Sequence, residues 1–236
     1  FLCGAARHVP DPTSSTHRTS EWWTQHAAQL KLSSACIAEL FRKSCEIAGL
    51  LPDPRKWGSA PRPFRGLIVG AVQSGKTSSM IGASSIALDL GYRVIVVLAG
   101  GKDDLRQQTA RRFNTQLLVQ RDEIPGVSGA YTVPVAVRDR PLGGIALPYS
   151  VDIHNWAPAY VRTRQALRKG EPCVFVIKKH EASLAEMRKV LARAYEDFGA
   201  DMLPTLVLDD ECDEASVESM RMPIPEAIAN LWRFSS

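Results

Sequence analysis

Short apolar runs that alternate with helical patterns constrain the fold of this chain most. Apolar runs of strand length occupy residues 66–70, 93–98, 173–177 and 205–208. Between them, apolar residues recur every three to four positions, at 76–90, 103–118, 157–169 and 181–198. Strands that alternate with helices favour a parallel sheet with helices on both faces. We therefore expect an α/β fold.

The remaining segments have other patterns. Helical periodicity after Ser20 and over residues 34–48 predicts two helices, and the proline-rich stretch 52–63 then forms a connector. Residues 119–156 are rich in Gly, Pro and Val without a helical period. They predict an insertion, with a β-hairpin around 131–137. The expected division is a helical segment with its connector at 1–63, followed by an α/β domain at 64–236.

Composition excludes several classes of protein. Of 236 residues, 45% are hydrophobic and 23% charged, which is typical of globular domains and excludes disorder. No apolar run approaches the roughly 20 residues of a membrane-spanning helix, so we expect no membrane partner. Five scattered cysteines without a CxxC pair favour a reducing cytoplasm. A chain that starts at Phe1 and stops at Ser236 after a helical pattern predicts a piece of a longer protein.

One loop motif follows the first apolar run directly and opens a helical pattern. Residues 70–77, GAVQSGKT, satisfy the pattern GxxxxGK[ST]. Glycines let the backbone N–H groups wrap around phosphate oxygens, and the helix N-terminus adds partial positive charge. Lys76 would reach the β- and γ-phosphates of ATP, and the Thr77 hydroxyl would bind Mg²⁺. The motif predicts a nucleotide site formed by Gly70, Gln73, Ser74, Gly75, Lys76, Thr77 and Ser78.

A dense group of acids follows the last apolar run. Asp209, Asp210, Glu211 and Asp213 fall within five residues, and such carboxylates repel one another unless a cation compensates them. We assign Asp210 to Mg²⁺ and Glu211 to the water that attacks the γ-phosphate. The expected catalytic residues are then Lys76, Asp210 and Glu211. Asp209 replaces Asp210 if the strand register shifts by one, and the sequence leaves that choice open.

Several segments together resemble the Z-one domain family. They are residues 65–77, 91–100, 105–109, 176–179 and the stretch 208–216, whose residues 210–213 have the DExD form of superfamily-two helicases. The family consists of helicase-like ATPases that are described as endonuclease-associated and are found near bacterial restriction and phage-defence genes. The resemblance covers roughly residues 64–234 apart from the insertion. The chain departs from it at Cys212 and Glu214.

This resemblance implies a RecA-like P-loop lobe that hydrolyses ATP with Mg²⁺. It further implies a second RecA-like lobe and a nuclease module as partners, together with nucleic acid, for which DNA is the expected form. The next family motif would follow within a few residues of Ser236.

Nucleic acid held by such a lobe would cross the carboxyl ends of the strands. Two polar groups are placed there, and their side chains suit contact with phosphates rather than bases. They are Lys102, Arg106, Gln108, Thr109 and Arg111 on one side, and Lys178 with Lys179 on the other. An ordinary solvated helix face explains both groups equally well.

Two other functions use the same motifs. A P-loop kinase or other phosphotransferase would show an arginine-rich lid, whereas residues 119–156 contain only Arg121, Arg138 and Arg140. An interaction module switched by ATP is the second alternative. Glu211, directly after the predicted metal ligand, favours hydrolysis, since phosphoryl transfer to an acceptor needs no activated water.

Overall fold

The computed structural model describes residues 21–54, 66–68, 75–117, 131–136, 141–147, 156–199 and 202–210. Its helices are α1 (Glu21–Gln29), α2 (Ser34–Gly49), α3 (Lys76–Leu90), α4 (Asp103–Gln116), α5 (Trp156–Arg168) and α6 (Glu181–Phe198). Its strands are β1 (Val94–Ala99), β2 (Tyr131–Ala136), β3 (Pro141–Leu147), β4 (Cys173–Lys178) and β5 (Thr205–Asp209). In these ranges, no helix is long and apolar enough to cross a membrane.

The strands form one sheet in the order β2-β3-β4-β1-β5. Its centre is parallel: Val94 at the start of β1 pairs with Cys173 of β4 on one side and with Thr205 of β5 on the other. Strand β3 adds to β4 in parallel, and β2 pairs with β3 in the antiparallel sense. The predicted α/β class with a parallel sheet is confirmed. The hairpin predicted around 131–137 is longer than expected, with its second strand at 141–147, and it extends that sheet.

Helices cover both faces of the sheet. All six residues of β1 are buried, as expected of an interior parallel strand. Because side chains alternate between the two faces of a strand, Ile95 and Val97 pack with α3 and α4, whereas Val96 and Leu98 pack with α5 and α6. The result is a three-layer arrangement in which α3 and α4 share one face.

The N-terminal helices pack onto α3. Trp23 of α1, Leu40 of α2 and Ile86 of α3 belong to one buried apolar cluster. At Gly82 of α3 the approach is closest, since an added Cβ atom would lie 2.2 Å from Oγ of Ser44 in α2. A side chain at position 82 would therefore displace Ser44 where α2 crosses α3. The predicted division after residue 63 stays a prediction.

Helix α1 also bridges the C-terminal ends of α3 and α4. The Asp89 carboxylate accepts the backbone N–H groups of Trp22 and Trp23 at 3.0 and 3.1 Å. Gln25 donates to the carbonyl of Leu117 at 2.9 Å, and His26 donates to the carbonyl of Gln116 at 2.8 Å. Burial raises the pKa of Asp89 to about 7 and lowers the pKa of His26.

The first predicted strand differs from the structure. Residues 66–68 form no strand, and Leu67 and Ile68 are 74% and 47% exposed. An apolar run becomes a strand only where a neighbouring strand satisfies its backbone groups, and no described strand pairs with these residues. Residues 69 and 70 lie outside the described ranges. Apart from the hairpin, the other predicted helices and strands agree with the structure to within two residues where their ends are described.

Candidate functional site

Helix α3 begins within the predicted phosphate loop. Gly75 precedes it with a φ of 81°, a left-handed conformation that favours glycine. Lys76, Thr77 and Ser78 form the first turn, whose N–H groups carry partial positive charge. Gly70, Gln73 and Ser74 lie outside the described residues, as does Glu211. The structure therefore describes only the C-terminal part of the predicted loop, from Gly75 into the first turn of α3.

A cavity of about 130 Å³ lies where the start of α3 meets α4 and the carboxyl ends of β1 and β5. This volume is well above the roughly 10–15 Å³ that a cavity needs to hold one water molecule. Its walls combine hydroxyl, amide, guanidinium and carboxylate groups. The lining residues are Thr77, Gly100, Leu105, Gln108, Thr109, Arg112 and Asp210. Thr77 and Asp210, which the sequence assigns to Mg²⁺, thus line the same cavity.

The two neighbouring acids at the end of β5 have different surroundings. Oδ1 of Asp209 lies 2.7 Å from Nζ of Lys179, in an ion pair whose lysine side chain is 1% exposed. The backbone N–H of Asp210 donates to the carbonyl of Leu98 at 3.0 Å, and its residue lines the cavity. The structure thus pairs Asp209 with Lys179 and places Asp210 at the cavity, and the assignment of Asp210 to Mg²⁺ stays a prediction.

Oxygen donors of this kind fit a magnesium ion. Mg²⁺ in nucleotide sites is held by one or two carboxylates and by phosphate oxygens, and it keeps several waters. The Asp210 carboxylate and the Thr77 hydroxyl match the protein part of that set. Within the described part of the chain, no group of three or more His, Cys, Asp or Glu residues is placed to hold a metal.

Arg112 is a cavity residue that the sequence analysis missed. Its Nη2 atom donates to Oγ of Ser78 at 2.7 Å, which ties α4 to the first turn of α3. A signal was present, because Leu105, Gln108, Thr109 and Arg112 have the spacing of one helix face.

The predicted nucleic-acid residues separate into exposed and buried groups. Lys102 and Arg111 are exposed. Gln108, which is exposed, and Thr109, which is buried, line the cavity. Lys178 is half-buried and lies near the start of α4. The pKa of Asp103 in that turn is lowered mainly by the hydrogen bond from Arg106, and the charge of Lys178 contributes to the same shift.

Two of these predicted contacts are not favoured by the structure. Arg106 is 6% exposed, and its Nε atom donates to Asp103 at 2.9 Å. Lys179 is 2% exposed and is paired with Asp209. A phosphate would have to break these ion pairs and open the surface around them. Both side chains therefore have structural roles that the sequence did not indicate.

Comparisons of the chain with models of protein families, with curated proteins and with solved structures gave no significant match.

Proposed function

We propose that this chain binds Mg²⁺–ATP and hydrolyses it as the first RecA-like lobe of a helicase-like ATPase that depends on nucleic acid. The observation that carries the proposal is the shared cavity of Thr77 and Asp210. These residues are far apart in sequence, and each was assigned to the same metal ion for a separate reason. They meet at the carboxyl ends of the strands, which is where ligands of open α/β sheets bind.

Each residue has a stated task in this proposal. Lys76 and the N–H groups of the first turn of α3 bind the phosphates. Thr77 and Asp210 hold Mg²⁺, which when bound neutralises charge on the β- and γ-phosphates. Glu211, the residue after Asp210, accepts a hydrogen bond from the attacking water and takes its proton.

The position of α4 supports the dependence on nucleic acid. One face of this helix lines the cavity, while its start and its outer face present the exposed cations Lys102 and Arg111. Nucleotide and nucleic-acid phosphates would then contact the same helix. DNA as the partner, a second RecA-like lobe, a nuclease module, a cytoplasmic location and a role in bacterial defence rest on the sequence resemblance.

The test is the ATPase rate of the full-length protein with and without single- or double-stranded nucleic acid. Nucleic acid should stimulate hydrolysis, and no small-molecule acceptor should become phosphorylated. Glu211→Gln should bind ATP as the wild type does but lose most hydrolysis, because an amide does not take the proton.

Three results would contradict the proposal. Phosphate transfer to an acceptor favours a kinase. ATP binding without hydrolysis favours an ATP-switched interaction module. A Glu211→Gln variant with the wild-type rate removes Glu211 from catalysis.

A further inference from the structure

We propose that Arg112 is a ligand of the terminal phosphate, so that the site distinguishes nucleoside triphosphates from diphosphates. The inference rests on the proposed function, since it requires that the cavity holds a Mg²⁺–nucleotide. In this inference the Arg112 guanidinium of α4 acts on the phosphates together with the Lys76 ammonium of the phosphate loop.

The resting partner of Arg112 is a neutral group. Among the described residues, its guanidinium donates to the Ser78 hydroxyl and has no carboxylate within ion-pair distance. A guanidinium has five N–H donors in a planar fork, which matches two oxygens of a phosphate. Hydrogen bonds between two charged groups are roughly twice as strong as neutral ones. Exchange of the Ser78 hydroxyl for a phosphate is therefore favourable.

The residues that line the cavity with Arg112 support the terminal phosphate as its partner. Thr77 and Asp210 line it together with Arg112, and a Mg²⁺ ion held by these two residues would neutralise charge on the terminal phosphates. A nucleotide bound with its metal at Thr77 and Asp210 would then bring its terminal phosphate to the cavity that Arg112 lines. Its location beside Ser78, in the turn that starts α3, keeps the side chain within the site before a nucleotide arrives.

The charge arrangement in the cavity supports the same assignment. A guanidinium and the carboxylate of Asp210 line one small cavity without forming an ion pair within 4.0 Å of each other. Opposite charges held apart in this way fit a ligand that satisfies both. A phosphate group bound to a magnesium ion is such a ligand, because it offers oxygens to Arg112 and a cation to Asp210.

The experiment measures binding of Mg²⁺ with a non-hydrolysable ATP analogue and of Mg²⁺ with ADP to the full-length protein. Arg112→Ala should weaken binding of the analogue by about 10- to 100-fold, the range for losing a hydrogen bond to a charged group. Its affinity for ADP should change by less than about threefold, within ordinary variation. Arg112→Lys keeps the charge without the fork and should recover part of the lost affinity.

Arg188→Ala is the matched control, because Arg188 is exposed on α6 at the opposite face of the sheet. It should leave both affinities unchanged. Equal losses for the analogue and ADP in Arg112→Ala would overturn the inference and leave only a role in positioning Ser78. Unchanged binding of the analogue in both Arg112 variants would also overturn it. If the wild type binds neither nucleotide, the proposed function itself fails.

Discussion

Nζ of Lys179 and Oδ1 of Asp209 lie 2.7 Å apart at the carboxyl ends of β4 and β5. These two strands flank β1, and the backbone N–H of Lys179 also donates to the carbonyl of Ala99 at the end of β1. The ion pair and this backbone hydrogen bond together connect the carboxyl ends of three strands. It also separates the roles of two adjacent acids, because Asp209 stabilises the sheet while Asp210 lines the cavity.

Removing one partner of this buried pair should destabilise the fold. Asp209→Asn removes the negative charge that lies 2.7 Å from the buried Lys179 ammonium, and the free energy of unfolding should fall by about 3–5 kcal/mol. Urea denaturation measures the loss. Asp210→Asn, which keeps the ion pair, should cost much less.

A double substitution separates the ion pair from simple damage to the core. Lys179→Met combined with Asp209→Leu replaces both charges by apolar side chains, which in buried pairs is often neutral or stabilising. The double variant should therefore be more stable than Asp209→Asn. A lower free energy of unfolding for the double variant would contradict this account of the pair.

The close approach of α2 and α3 predicts a steric effect at Gly82. In Gly82→Ala the new methyl group lies 2.2 Å from Oγ and 3.2 Å from Cβ of Ser44, so the Ser44 hydroxyl must leave its hydrogen bond to the Leu40 carbonyl or the helices must separate. We expect a loss of about 1–3 kcal/mol in the free energy of unfolding. Gly101→Ala is the control, since an added Cβ there meets nothing within 4 Å. Equal stability of the two variants would show that α2 does not pack at Gly82.

The buried carboxyl group of Asp89 predicts a pH dependence of stability. Burial raises its pKa to about 7 in the folded protein, against roughly 3.9 in an unfolded chain. Between these values the folded state binds more protons, so this group's contribution to stability is complete below about pH 4 and is lost as the pH rises through 7. His26, whose pKa is lowered by burial, acts in the opposite direction, because its unfolded form binds more protons below about pH 6.5.

The contribution of Asp89 is measured as a difference between two proteins. Urea denaturation from pH 5 to 8 gives the free energy of unfolding of the wild type and of Asp89→Asn. Because both proteins contain His26, its contribution cancels in the difference between them. The free energy of unfolding of the wild type should fall with rising pH relative to the variant, by at most about 1.4 kcal/mol per pH unit. Parallel pH profiles would contradict the raised pKa.

Salt dependence tests which cations face nucleic acid. Each phosphate contact contributes about one unit to the slope of log affinity against log salt, so Lys102→Ala with Arg111→Ala should reduce the slope by up to about 2. The pair Lys178 and Lys179 contributes at most about 1, because Lys179 is buried in its ion pair. Arg188→Ala on the opposite face should leave the slope unchanged. An unchanged slope in the Lys102 and Arg111 variant removes α4 from the interface.

Much of the fold could be predicted because its signals are local. The bounds of α6 and α3 follow from periodicity, and α3 ends as expected at Gly91, which is left-handed at a φ of 107°. Strand β1 was evident as an apolar run of β-branched residues. The run at 66–68 had the same appearance, but its outcome depends on a partner strand, which no local pattern encodes.

The site was less predictable because its roles depend on distant residues. Nothing in the acidic cluster itself shows that Asp209 is neutralised by Lys179, a residue of another strand end. The burial of Arg106 likewise depends on how α4 packs against the sheet. For Arg112, which no motif marked, a usable signal was present in the helical spacing that brings it into line with Gln108 and Thr109.

The central claim is that Thr77 and Asp210 hold the metal of a Mg²⁺–nucleotide, and calorimetric titration of ATP with and without Mg²⁺ tests it most directly. The wild type should bind ATP more tightly with Mg²⁺. Asp210→Asn and Thr77→Ala should each lose at least about tenfold of that Mg²⁺-dependent affinity, as expected for groups at a metal site. Asp104→Asn, an exposed acid at the start of α4, should retain it. A folded Asp210→Asn protein with the wild-type response to Mg²⁺ would contradict the claim.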